Sequence, residues 1–292
     1  MTRHLHDLAL QYAAVPDAAL RLCAESLLLE LTQVICNRVN CLAYQVELRL
    51  FGSIASNTHG PESDADIAVI PVGCLGGSGQ PGSHDICDVL RFRNVLFTHL
   101  QKAFGDRFVC RQRKAILLCG TPQRIQADVV ALLPKVWCNF CPDCKQSHCS
   151  HGYEIRSYCE PEREISTWPE QHHANAAIFD VRTEGRFTQS MRVIKGFLKS
   201  GLPGFSAVAD CMPSVLFESL LARVPVDCFH HVGACPLRIL QHVIEIVQRG
   251  LRDGSFSRHR ELSGMRQLFD ESQTWTFHQV KQDIDRLRML LG

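Results

Sequence analysis

The chain has 292 residues, 31 basic against 30 acidic, and 46% hydrophobic content. It can build a large core, and its net charge does not draw it onto nucleic acid or a membrane. No apolar run reaches the ~20 residues needed to cross a bilayer, and MTRHLHDLALQYAAVPDAA lacks a secretory apolar segment, so a cytoplasmic protein with no membrane partner is expected. Residues 16–37 follow as an amphipathic helix, opened by Pro16 and Asp17, with Leu20, Leu27, Leu28, Leu31, Val34 and Ile35 at helical spacing. Val46–Phe51 and Ile67–Val72 read as strands. Between the first strand and the second stand Gly52, Ser53, Asp64 and Asp66. The Gly/Ser/Pro-rich stretch from Gly73 to His84 reads as a connecting loop with a lid as the second reading.

Asp85–Phe104 has the apolar spacing of a helix and Phe108–Cys119 that of one or two strands. Eight basic residues and one acid, Asp106, fall between Arg91 and Arg124. Such a run is ordinarily a solvated face, and a surface for a nucleic-acid activator or nucleotide phosphates is the second reading. The strand Ile125–Pro134 carries Asp128, and WCNFCPDCKQSHCSHG follows it. Most of the fifteen cysteines sit dispersed in apolar settings, where they act as small hydrophobes. Cys138, Cys141, Cys144 and Cys149 are different. Their spacing suits either a compressed structural Zn²⁺ site or a loop of free thiols, and both readings stand. From about residue 160 the pattern turns helical: Phe187–Ser200 with Met191, Ile194 and Leu198 on its apolar side, then Leu237–Leu251 and Val280–Leu291. Ser214, after Pro213, suits a helix N-cap.

The acids carry the chemistry. Asp64 and Asp66 lie two apart at the start of a strand, a spacing that puts both carboxylates on one face. They repel unless a cation lies between them, and hard oxygen donors suit Mg²⁺. An aspartate within the apolar strand at 125–134 is costly unless paired or metal-bound. The amides after Gly52, with the Ser53 hydroxyl, can hold a polyphosphate. Alone, the Asp64–Asp66 pair would equally suit a polar turn. With Gly-Ser ahead and Asp128 behind, the pattern points to two-metal phosphoryl or nucleotidyl transfer.

The set Gly52-Ser53, Thr58, Ser63-Asp64-x-Asp66 and Asp128 resembles the DNA polymerase β-like nucleotidyltransferases. Trp168-Pro-Glu-Gln-His172-His-Ala-Asn175, Gly185-Arg-Phe187, Arg192-Val-Ile-Lys195 and Met212-Pro-Ser214-Val-Leu-Phe-Glu218 narrow the resemblance to the bacterial cGAS/DncV-like nucleotidyltransferases, or CD-NTases. The resemblance implies an α+β fold: a mixed-sheet nucleotidyltransferase core over residues 1–160, with a bracing N-terminal helix, and a helical lobe over 161–292 that completes the nucleotide cleft. It also implies two Mg²⁺ (or Mn²⁺) ions held by Asp64, Asp66 and Asp128, and Gly52 and Ser53 on the β- and γ-phosphates. Lys195, Ser214 and Arg192 would join the nucleotide site, with Trp168 and His172 for base stacking. Its implied substrates are nucleoside triphosphates, ATP among them, and its products cyclic or linear oligonucleotide signals of anti-phage (CBASS) defence. A nucleic-acid or protein activator and an effector that binds the product would be its partners. Zinc would be a departure from most bacterial relatives. Two other functions fit the residues: nucleotide addition to an RNA end or a protein, and a catalytically inactive nucleic-acid-binding module.

Overall fold

The two apolar runs that flank Gly52 and Asp66 form antiparallel strands, β1 (Gln45–Phe51) and β2 (Ala65–Val72), paired from Gln45–Val72 to Phe51–Asp66. The computed structural model describes residues 2–14, 18–39, 45–60, 63–72, 86–141, 146–160, 164–209, 211–271 and 273–292. The segment read as a connector or lid, Gly73–His84, lies outside them. The chain divides into a sheet unit, Asp17–Ala55 with Ser63–Pro169, and a helical unit, Met1–Pro16 with Ser56–Glu62 and Glu170–Gly292.

In the sheet unit, α2 (Ala18–Val39), the single turn α3 (Gly52–Ala55) and α4 (Ile86–Phe104) accompany five strands. The other three are β3 (Val109–Arg111), β4 (Ile116–Leu118) and β5 (Ala127–Ala131), in the order β1-β2-β5-β4-β3. Among the described residues of this sheet only β2 and β5 pair in parallel, and the other pairings are antiparallel. The period-2 alternation of β2 sorts its side chains. Ile67 and Val69 pack with Leu27, Leu31 and Ile35 of α2 and with Phe92, Leu96 and Leu100 of α4. Ala68 and Ile70 face the other way, onto a smaller cluster with Leu132 and Phe51. Both faces of β2 are therefore covered, which explains its near-continuous apolar sequence.

A second sheet follows, of β6 (Leu133–Cys141), β7 (Gln146–Arg156) and β8 (Glu164–Thr167) in that order. This corrects the reading of the cysteine-rich stretch as a loop, since most of it forms the two arms of an antiparallel hairpin with Cys138 opposite Cys149. Cys149 is disulfide-bonded, so in this form its thiolate is not available as a fourth zinc ligand. Cys144 and the side chains of Cys138 and Cys141 lie outside the described residues. Glu154, buried in β7, is neutralised by Lys135 at 3.3 Å and by Arg156, so the hairpin carries a charged network through its middle.

The helical unit contains α1 (Thr2–Ala13), α5 (Pro169–Arg182), α6 (Arg186–Lys199), α7 (Phe205–Ala209), α8 (Ser214–Leu221), α9 (Pro236–Arg252) and α10 (Phe277–Leu291). Its core is the apolar side of α6, with Phe187, Met191, Ile194 and Phe197, against Leu240, Val243, Ile244 and Val247 of α9. Leu198, placed on that apolar side by the sequence, is only partly buried, and Phe197 takes its place. The Thr276 hydroxyl caps α10 by accepting from the Gln279 amide. Among the described residues no helix is long and apolar enough to cross a membrane.

Candidate active site

The acids belong to the sheet unit. Asp66 on β2 and Asp128 on β5 are register partners on neighbouring parallel strands, so their side chains leave the same face of the sheet. That face carries Ala68 and Ile70, away from α2 and α4. Asp64 precedes the strand by one residue, close enough for its charge to act on Asp128. Burial, and then the Asp64 charge, push the Asp128 carboxyl above its ordinary range. Its Oδ1 is buried and has no hydrogen-bond partner among the described residues. Two carboxylates on one sheet face, one with an orphaned buried oxygen, and a third acid within electrostatic reach have the chemistry a hard divalent cation needs, while among the described residues no three acids are gathered closely enough to hold one.

Gly52 has a role that the sequence placed differently. It stands where β1 ends and α3 begins, at φ +66°, and a Cβ there would lie 1.8 Å from Asp66 Oδ2. The absent side chain therefore makes room first for the Asp66 carboxylate, opposite which Phe51 is paired.

Asp128→Asn gives an expected result of definite sign. A carboxyl whose pKa is raised by folding destabilises the fold when ionised, and the penalty is relieved as pH falls through the raised value. In metal-free buffer at neutral pH the variant should melt a few degrees higher than the parent. Magnesium should then stabilise the parent more than the variant. Melting curves with and without Mg²⁺ check both signs, and a variant that melts lower without metal would refute this account.

The helical unit holds a second constellation. Lys195 Nζ on α6 donates to Thr58 Oγ1 at 2.8 Å and to Glu218 Oε1 on α8 at 3.0 Å. His172 Nε2 on α5 lies 2.6 Å from the other oxygen, Glu218 Oε2. Burial alone would push the Glu218 carboxyl up. The Lys195 charge and the His172 and Lys195 hydrogen bonds outweigh it and hold it at about 2. Lys195 is thus no solvated surface lysine; its side chain is 11% exposed. Glu218 was not singled out by sequence, although an acid inside the apolar run SVLFESLL needs a partner.

The other expected residues fall as follows. Arg192 donates to the Asn57 carbonyl at 3.2 Å and the Ala13 carbonyl at 3.0 Å, so it braces backbone in the helical unit. Ser214 is the first residue of α8 rather than its cap. Pro213 takes the cap position in an extended conformation, and no side chain bonds there. Trp168 is buried, its ring 4.9 Å from that of Trp137 and packed over Gly152. His172 lies within α5, since that helix already begins at Pro169, and its Nε2 is engaged by Glu218.

The basic run is largely occupied within the sheet unit. Arg93 stacks over Tyr158 at 3.5 Å and donates to the Ser157 carbonyl. Arg111 lies over Phe97, Arg113 pairs with Glu160, and Arg124 lies over Phe104 while donating to the Cys119 carbonyl. With Arg107 over Phe108, five of the eight basic residues make such contacts, while Arg111 and Arg113 stay exposed, as on a solvated face.

Residues 174–292 match the model of the cGAS/DncV-like nucleotidyltransferase C-terminal helical domain, and residues 31–71 match that of the nucleotidyltransferase domain. The chain thus carries a match to a nucleotidyltransferase domain and one to the C-terminal helical domain of the cGAS/DncV-like nucleotidyltransferases. The chain is 28% identical over 250 residues to the cyclic dipyrimidine nucleotide synthase CdnE of Legionella pneumophila, covering 79% of each chain. Its fold is that of the Elizabethkingia meningoseptica CdnE cyclic dinucleotide synthase, solved with GTP and Apcpp, at a TM-score of 0.77 and 19% identity over 100% of this chain and 99% of that one. The Rhodothermus marinus CdnE c-UMP-AMP synthase, with Apcpp and Upnpp, follows at 0.72 and 20%, over 98% and 95%. The α+β fold expected from the resemblance, a mixed-sheet nucleotidyltransferase core with a C-terminal helical domain, is the one found, and nucleotidyltransferases generally use divalent metal ions.

Proposed function

We propose that this chain is a CD-NTase that makes cyclic or linear oligonucleotide second messengers from nucleoside triphosphates, as signals in anti-phage defence. One observation carries the reading: Asp66 and Asp128 share a sheet face, with Asp64 electrostatically coupled to Asp128. The synthase relatives support the product class.

In this reading Asp64, Asp66 and Asp128 hold two Mg²⁺ ions, with Mn²⁺ as a substitute. When bound, the metals supply Lewis acidity at the α-phosphate and lower the pKa of the attacking hydroxyl. A 3′-hydroxyl of one nucleotide bonds to the α-phosphorus of another and the bond to pyrophosphate breaks in line. Gly52 leaves the Asp66 carboxylate unobstructed, and Gly52 and Ser53 present amides and a hydroxyl to the β- and γ-phosphates. Lys195 contacts the triphosphate as well, with Ser214. ATP is among the substrates, a nucleic-acid or protein activator switches the enzyme on, and an effector receives the product.

The test is incubation of the purified protein with all four nucleoside triphosphates and Mg²⁺ or Mn²⁺, followed by phosphatase and mass spectrometry. A phosphatase-resistant small oligonucleotide is expected. Label that enters added RNA or the protein itself, with no small product, would replace this reading by macromolecular nucleotide addition.

A further inference from the structure

We propose that Glu218 is a positioning residue for nucleotide binding, one that aims Lys195 at the triphosphate and is itself held in place by His172. The proposal deepens the reading of Lys195 as a triphosphate contact and rests on it. An ammonium has three protons. In Lys195 one goes to Thr58 Oγ1 at 2.8 Å and one to Glu218 Oε1 at 3.0 Å, partners on two different parts of the helical unit. Two fixed hydrogen bonds set the direction of the third N–H, which remains for a phosphate oxygen. A flexible four-carbon stem would otherwise spread that charge over many rotamers, and a lysine donates as a point charge with no geometry of its own.

Glu218 acts on His172 in the same way. The carboxylate is ionised at neutral pH and accepts only, so the imidazole nitrogen 2.6 Å from it carries the proton. The ring is thereby held with its Nε2–H toward Glu218. Among the described residues Nδ1 has no hydrogen-bond partner, and the side chain is 18% exposed. One buried carboxylate thereby holds two side chains in place, the Lys195 ammonium and the His172 ring.

Bonds reaching 23 and 46 residues along the chain tie α8 to α6 and α5, so a purely structural role for Glu218 must be separated from positioning. A double-mutant cycle does this. Lys195→Ala, Glu218→Gln and the pair are compared for nucleoside triphosphate KM and kcat, with melting curves to confirm folding. The glutamine keeps the shape and one acceptor oxygen but removes the negative charge that holds the ammonium, and its amide nitrogen donates where a carboxylate oxygen accepted. We expect Glu218→Gln to raise KM about tenfold while kcat falls less, and to add nothing in the Lys195→Ala background. Additive effects in the cycle, or an unchanged KM in Glu218→Gln while Lys195→Ala raises it, would overturn the positioning role alone. An unchanged KM in Lys195→Ala would remove the triphosphate contact itself. If Glu218→Gln does not fold, Glu218→Asp, too short to reach both partners, takes its place in the same cycle.

Discussion

Asp66→Asn is expected to abolish magnesium-dependent pyrophosphate release from nucleoside triphosphates, by about a thousandfold or more, while the protein stays folded. The substitution keeps the side chain's volume and replaces one carboxylate oxygen by an amide that donates, so a hard cation loses both charge and an oxygen ligand. A thousandfold loss corresponds to about 4 kcal/mol of transition-state stabilisation. Asp66 is paired with Asp128 across parallel strands, so the change alters one member of a same-face pair and leaves the register of β2 intact. Turnover at the parent rate in a folded Asp66→Asn protein would overturn the assignment of the acids.

Some of this was legible in the sequence because a carboxylate in an apolar strand is expensive, and expense shows. Asp128 within Ala127–Ala131 is such a case, and the Asp64–Asp66 spacing is another. Strands β1 and β2 and helices α4, α6, α9 and α10 followed their apolar periods to within about three residues. Other features left weaker traces. The first helix buries Leu5, Ala9 and Ala13, and two alanines among histidines give little apolar signal. The β6–β7 hairpin alternates cysteine and aromatic residues with polar ones, and its cysteine spacing drew attention from that alternation. Lys195 and Glu218 are 23 residues apart, and Thr58 is 137 residues from Lys195. No local pattern reports a bond over such a distance. The same holds for the basic run, whose arginines find ring faces and carbonyls that only the fold brings near.

Gly52→Ala should be nearly as damaging as loss of the carboxylate, for a different physical reason. Two costs arise together. The backbone at φ +66° is left-handed, where an alanine is strained by roughly 1–2 kcal/mol. The new Cβ would also lie 1.8 Å from Asp66 Oδ2 and 2.6 Å from Asp66 Cγ, so the carboxylate must move. A displacement of about 1 Å at a reacting centre is enough to cost on the order of a hundredfold in rate. Gly201 separates the two costs. It has φ +68°, and nothing would lie within 4 Å of an added Cβ, so Gly201→Ala meets the strain without the collision. Both variants should lose a similar amount of backbone stability in chemical denaturation, and Gly201→Ala should keep its turnover. Only Gly52→Ala should lose about a hundredfold in pyrophosphate release and, with it, the magnesium-dependent rise in melting temperature. Equal turnover in the two variants would mean that the Asp66 carboxylate can shift without consequence, and that Gly52 serves the turn alone.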